Sequence, residues 1–181
     1  PDRKTALMEW IRELTPMDIV DFEFPTNDLT GETQLAFRER GGALISAYSV
    51  SDGTLRFLAM LVSLLGTETA HRIYFFEEID NGLHPARLRL LVDLIEKQTA
   101  KNNIQVISTT HSPELLSMVN DATFETSSVV YRSPDSDEAT IRPIADLPNA
   151  RELRKTQGLS RLHASGWMEN MMELDDDRDA P

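Results

Sequence analysis

Apolar positions along this chain follow two rhythms, and where one gives way to the other marks out the elements. Leu7, Trp10 and Ile11 recur at helical spacing and predict a helix over Thr5–Leu14, stopped by Pro16. Val20, Phe22 and Phe24 alternate with Asp21 and Glu23, the pattern of a half-buried strand. After a turn-rich break at 25–32, Gln34–Arg38 and Ala43–Tyr48 predict two more strands around Gly41 and Gly42, making a small antiparallel sheet. Thr54–Leu65 is apolar almost all round apart from Arg56 and Ser63, which predicts a buried helix ending at Gly66. The run Ile73–Phe76 predicts a central parallel strand covered on both faces. Pro85 suits the first position of the next helix, whose apolar stripe is Leu88, Leu91, Val92 and Ile95, and Ile104–Ile107 gives a second short strand. Helix, strand, helix, strand is two turns of a parallel α/β pattern. Pro113 opens a helix to about Val119. Ser128–Arg132 and Ala139–Pro143 flank a Pro-Asp-Ser-Asp turn and predict a hairpin. Asn149–Gln157 and Leu162–Leu174 predict helices, and Asp175–Pro181 an acidic tail.

The 181 residues suffice for a layered core, and the net charge of −12 changes the list of partners. An acidic chain lacks the broad positive field that phosphate backbones reward, so nucleic acid would be bound through other segments. Arg154, Lys155 and Arg161 form a basic cluster too small to be a DNA patch. Without cysteine, disulfide scaffolds and thiolate metal sites are excluded, in keeping with a reducing, cytoplasmic setting. No apolar run approaches the ~20 residues of a membrane span, so no membrane partner is expected, and no secretory signal is visible. The opening Pro-Asp-Arg-Lys has no initiator Met, which suggests a start inside a longer protein.

Candidate chemistry gathers where the predicted strands end. Parallel strands carry their chemistry at the carboxyl end, and there Ile73–Phe76 runs into Glu77 and Glu78. Two adjacent carboxylates at such an edge are costly without positive charge nearby, and Mg²⁺ with phosphates would supply it. The second strand leads into Ser-Thr-Thr-His-Ser at 108–112, so His111 falls near the carboxylates if sequence-adjacent strands pair; a His in such a loop is more often structural or incidental, and the carboxylate pair improves the odds of a functional one. Ser51-Asp52-Gly53-Thr54 precedes the apolar helix, and two readings stand side by side. Its free amides suit an anion, or Ser51 or Asp52 simply caps the helix. Gly-x-x-x-x-Gly-Lys-Ser/Thr is absent from the chain, so no lysine-bearing phosphate loop is present and the chain alone is expected not to hydrolyse ATP.

Three stretches together resemble the carboxyl-terminal half of an ABC-type ATPase head, in the branch of AAA-like ATPases serving chromosome maintenance, DNA repair and overcoming-lysogenization-defect-like systems. VSDGTLRFLAMLVSLL (Val50–Leu65) resembles the signature loop and its helix, IYFFEEIDNGLHP (Ile73–Pro85) the Walker B strand with the D-loop, and VISTTHSPELL (Val106–Leu116) the switch-histidine strand. The resemblance implies an α/β fold: the carboxyl-terminal lobe of a P-loop NTPase head, a parallel sheet flanked by helices and lacking Walker A. It divides the chain into edge strands (1–48), the ABC-type lobe (49–145), carboxyl-terminal helices (146–174) and the tail (175–181).

By the same resemblance ATP and Mg²⁺ are implied as ligands. Glu77 stands where an Asp usually helps hold the metal, Glu78 where a carboxylate polarises the attacking water, and His111 where the switch histidine senses the γ-phosphate. Ser51, Asp52, Gly53 and Thr54 fall in the signature that contacts nucleotide on the opposite subunit; Asp80, Asn81 and His84 fall in the D-loop, with His84 replacing the usual Asp. Arg56 is read as solvent-facing. The implied partners are a Walker A-bearing amino-terminal half, a second head subunit, and an effector or nuclease domain. Two other readings compete: an ATP-gated dimerisation scaffold that does not hydrolyse, and an unrelated magnesium-dependent α/β hydrolase.

Overall fold

A computed structural model describes residues 3–14, 18–65, 71–101, 104–132 and 137–172. The chain divides into two compact units, Pro1–Thr109 and Thr110–Pro181, each described on its own.

The first unit opens with α1 (Arg3–Leu14) and a three-stranded antiparallel sheet of β1 (Ile19–Glu23), β2 (Ala36–Glu39) and β3 (Leu44–Ser46), in the order β1-β2-β3. Phe22 pairs with Phe37 and Phe37 with Ile45, so the apolar alternation shares one face. Met8 and Ile11 of α1, Ile19, Phe37, Val50 and Leu58 close a buried cluster over that face. Ion pairs stitch the rim: Arg38 Nε to Glu23 at 2.6 Å, Arg40 Nε to Asp18 at 2.8 Å.

The α/β part follows with α2 (Asp52–Leu64), β4 (Arg72–Phe76), α3 (Pro85–Lys101) and β5 (Ile104–Ser108). β4 and β5 pair in parallel, from Arg72 opposite Ile104 to Phe76 opposite Ser108, as adjacent strands joined by a helix should. Thr54, Phe57, Leu58, Met60, Leu61 and Leu64 of α2 are buried, while Arg56, Ala59 and Val62 face outward. The helix is therefore buried on one side and not all round, a correction to its apolar composition. The Tyr74 hydroxyl donates to the Ser63 carbonyl at 2.8 Å, tying β4 to α2.

Expected to be covered on both faces, β4 is covered on one. Tyr74 and Phe76 are half-buried, whereas Ile73 and Phe75 are 54% and 72% exposed, and their neighbour Ile107 on β5 is 52% exposed. The reason is supply: the sheet has two strands, and no other described element of this unit lies over that side.

The second unit holds α4 (Pro113–Met118), α5 (Asp121–Glu125), the hairpin of β6 (Ser128–Arg132) and β7 (Ala139–Pro143), α6 (Ala150–Thr156), α7 (Leu159–Ala164) and a helical run at 167–172. Phe124, Ile144, Leu147, Leu159, Leu162, Met168 and Met172 form its core. The single helix expected over Leu162–Leu174 is broken at Ser165–Gly166, where Gly166 takes a φ of 68° that a helix does not accommodate. Gly66, Pro16, most of the hairpin turn and the acidic tail lie outside the described residues. Among those described, no helix is long and apolar enough to cross a membrane.

Candidate functional site

The carboxyl end of β4 is where this chain is most unusual. Phe76 ends the strand, Glu77 and Glu78 are exposed, and Ile79 is buried at 2% as the anchor of the loop. Glu78 has a φ of 45°, in the left-handed region that residues with a Cβ adopt at a cost of roughly 1–2 kcal/mol. The kink is held by hydrogen bonds. The Glu78 N–H donates to Thr109 Oγ1 at 3.0 Å, and the Glu78 carbonyl accepts from the Asn81 N–H at 2.9 Å, closing a turn. Asn81 Nδ2 also donates to Glu78 Oε2 at 3.0 Å. A second turn follows, Leu83 N–H to the Asp80 carbonyl at 3.1 Å.

The amino terminus of α2 is packed against that turn. Ser51 caps the helix: its Oγ accepts from the Thr54 N–H at 3.3 Å and lies 2.9 Å from Thr54 Oγ1, and Thr54 is buried at 6%. The capping reading of Ser51 is thus realised, while Asp52 remains exposed in the first turn. Gly53 touches Gly82 backbone to backbone. A Cβ on Gly53 would fall on the Gly82 carbonyl, 2.9 Å from its carbon and nearer still to its oxygen. Gly82 itself has a φ of 78°. Arg56, read as solvent-facing, is exposed and reaches back to the Glu78 carbonyl at 3.5 Å.

Of the residues singled out in the sequence, Ser51, Asp52, Gly53, Thr54, Glu77, Glu78, Asp80, Asn81 and His84 all belong to the first unit. His84 starts α3: its Nδ1 accepts from the Ala86 N–H at 3.3 Å and its carbonyl from the Leu88 N–H at 3.0 Å. That gives it a capping role which a carboxylate could fill equally well. His111 lies in the second unit, exposed, just before Ser112 caps α4 through the Leu115 N–H at 3.4 Å. The sequence marks Thr109 only as a polar loop residue and Gly82 only as part of a turn, with no site role for either. The register that brings Thr109 to Glu78 is tertiary, whereas Gly82 in Asp-Asn-Gly was at least visible as a turn glycine.

No three His, Asp or Glu side chains among the described residues converge on a metal position. Mg²⁺ does not require them, because it is commonly held by one or two carboxylates together with substrate phosphates. The exposed Glu77 carboxylate at the strand end fits that mode.

Comparison with known proteins bears on the family and the fold. An uncharacterized protein of Methanocaldococcus jannaschii is 28% identical over 104 residues, covering 56% of this chain and 90% of its own length. Among solved structures, one described as "Structural biochemistry of ATP-driven dimerization and DNA stimulated activation of SMC ATPases" superposes with a TM-score of 0.50 at 15% identity, covering 99% of this chain and 92% of that one. The Smc head domain with a coiled coil and joint from Pyrococcus yayanosii gives 0.52 at 14% identity over 85% of this chain, which spans 28% of that structure. The fold is thus that of the SMC-type ATPase heads, a P-loop NTPase fold. The model of the family described as "AAA domain, putative AbiEii toxin, Type IV TA system" matches residues 11–117, and the chain belongs to that family as an ABC/AAA-like ATPase head domain.

Proposed function

We propose that this chain is the carboxyl-terminal part of an ATP-hydrolysing head that dimerises around ATP and couples nucleotide state to an effector in DNA repair, chromosome maintenance or anti-phage defence. The observation that carries the reading is the joining of two motif loops. The turn bearing Glu77 and Glu78 and the capped start of α2 are in backbone contact through Gly82 and Gly53, at the carboxyl end of a parallel strand. In this reading Glu78 orients the attacking water and takes up its proton, the work of a positioned general base. Glu77 would help hold Mg²⁺, which supplies positive charge beside the phosphates when bound. Ser51, Asp52, Gly53 and Thr54, with Asp80, Asn81 and His84, would face nucleotide on a second head, and His111 would sense the γ-phosphate.

Completion by a Walker A-bearing amino-terminal segment is supported by the uncovered apolar face of Ile73, Phe75 and Ile107, and strand alternation puts Glu77 at the tip of that face. A sheet of this kind is normally covered on both sides. The isolated chain is accordingly inactive. The test is Glu78→Gln in the head completed by its Walker A segment: ATP turnover should vanish while the ATP-bound dimer accumulates. Unchanged effector output with turnover already negligible in the unsubstituted protein would favour a non-hydrolysing scaffold.

A further inference from the structure

We propose that Thr109 and Asn81 are positioning residues for the Glu78 carboxylate, an inference that rests on the reading of Glu78 as the group that orients the attacking water. The need for positioning arises from the backbone. With a φ of 45°, Glu78 occupies a conformation that its own side chain disfavours, so neighbouring groups must over-determine it.

Thr109 does this from the next strand. Phe76 opposite Ser108 is the last pair of the β4–β5 ladder. Beyond it Thr109 still bonds on both sides, its N–H donating to the Phe76 carbonyl at 3.0 Å and its carbonyl accepting from the Ile79 N–H at 3.2 Å. Any residue but proline could make those two bonds. Between them, the kink at Glu78 turns one N–H out of the ladder, and the Thr109 hydroxyl accepts it at 3.0 Å. That third bond needs a side-chain acceptor at this position, which the Thr109 hydroxyl supplies.

Asn81 fixes the other end of the residue. Its backbone N–H closes the turn on the Glu78 carbonyl at 2.9 Å, and its side-chain amide holds Oε2 at 3.0 Å. Among the described residues, Oε1 accepts no hydrogen bond. An amide suits the task better than a cation would. It orients the carboxylate through a directed hydrogen bond without adding a charge beside it. One oxygen is gripped and the other is left to meet a water.

Steady-state ATP hydrolysis by the head completed with its Walker A segment tests this, comparing Thr109→Val, Thr109→Ser and Asn81→Ala with Glu78→Gln. Thr109 is assigned no contact with the nucleotide, so in its variants kcat should fall while KM for ATP stays within about twofold; Asn81, which in the proposed reading also faces nucleotide on a second head, is judged on kcat alone. The expected loss is roughly tenfold for Thr109→Val and for Asn81→Ala, part of the ~10²–10⁴-fold that a positioned base contributes. Thr109→Ser should restore the unsubstituted kcat. Activity lost in Glu78→Gln but retained in Thr109→Val and Asn81→Ala overturns the positioning roles and leaves the base assignment standing. Loss of kcat with an equal rise in KM in Thr109→Val, or failure of Thr109→Ser to restore kcat, overturns the role of Thr109. Turnover that survives Glu78→Gln removes the base assignment itself, and the positioning roles with it.

Discussion

Gly53→Ala should destabilise this protein, although the usual effect of that change within a helix is the reverse. Ala is favoured over Gly inside a helix by about 0.5–1 kcal/mol, because glycine loses more backbone freedom on folding. Here the added Cβ would sit 2.9 Å from the Gly82 carbonyl carbon and 3.2 Å from its Cα, with the carbonyl oxygen closer still. These atoms cannot rotate away as a side chain would. Gly82 sits at a φ of 78° in a turn pinned by the Leu83 N–H on Asp80 and anchored by buried Ile79. Overpacking costs ~1–3 kcal/mol, and an overlap with backbone belongs at the upper end. Subtracting the helical gain leaves a net loss of about 2 kcal/mol, or roughly 1 M in urea midpoint for a slope near 2 kcal/mol/M. Trp10 on α1, which packs on α2, reports the first unit if Trp167 is replaced by Phe. Gly41→Ala serves as the control, since a Cβ there meets nothing within 4 Å, and should leave the midpoint level or slightly raised. A Gly53→Ala midpoint equal to or above that of the parent would refute the close backbone contact between α2 and the turn.

Three further outcomes are expected. Phe75→Thr, at a side chain 72% exposed, should change the chain's own stability by less than about 0.5 kcal/mol, yet weaken its association with the Walker A segment roughly 30-fold, the equivalent of about 2 kcal/mol of lost burial; titration calorimetry reads the second effect. Arg38→Gln should lower stability in a pH-dependent way. The Arg38 hydrogen bond and charge hold the Glu23 carboxyl below its ordinary range, so the pair's contribution is present above that range and is lost as pH falls through the lowered value. Urea midpoints of parent and variant should therefore differ near about pH 7 and converge in strong acid, whereas a constant offset would point to lost packing instead. Leu162→Ala removes a side chain 2% exposed in the second core and should cost ~2–5 kcal/mol, followed through Trp167.

The elements that the sequence pattern located well are those whose signal is local. β6 and β7 fall where alternation put them, and α3 starts at Pro85, as a proline at a helix start should. α5 was missed because its five residues are too few to show a period; its sign is Asn120, whose side chain accepts from the Thr123 N–H at 2.8 Å. Gly166 was in plain view within Leu162–Leu174, but the apolar run around it outweighed it. The uninterrupted run Ile73–Phe76 correctly indicated a strand with two apolar faces. It could not indicate that the described elements of the first unit cover only one of them, since the pattern records what a face needs and not what supplies it. Motif order likewise drew attention to Glu77, Glu78 and Ser51. The left-handed backbone at Glu78, the hydroxyl of Thr109 beneath it and the contact of Gly53 with Gly82 depend on strand register and helix packing, and neither leaves a period in the sequence.

The most direct test of a composite ATP site is to measure ATP hydrolysis and dimer formation by this chain alone, by the Walker A-bearing segment alone, and by the two combined. Turnover and an ATP-dependent dimer that appear only in the combination, and turnover that disappears with Glu78→Gln, are what the account predicts. Phosphate release by the isolated chain would contradict it.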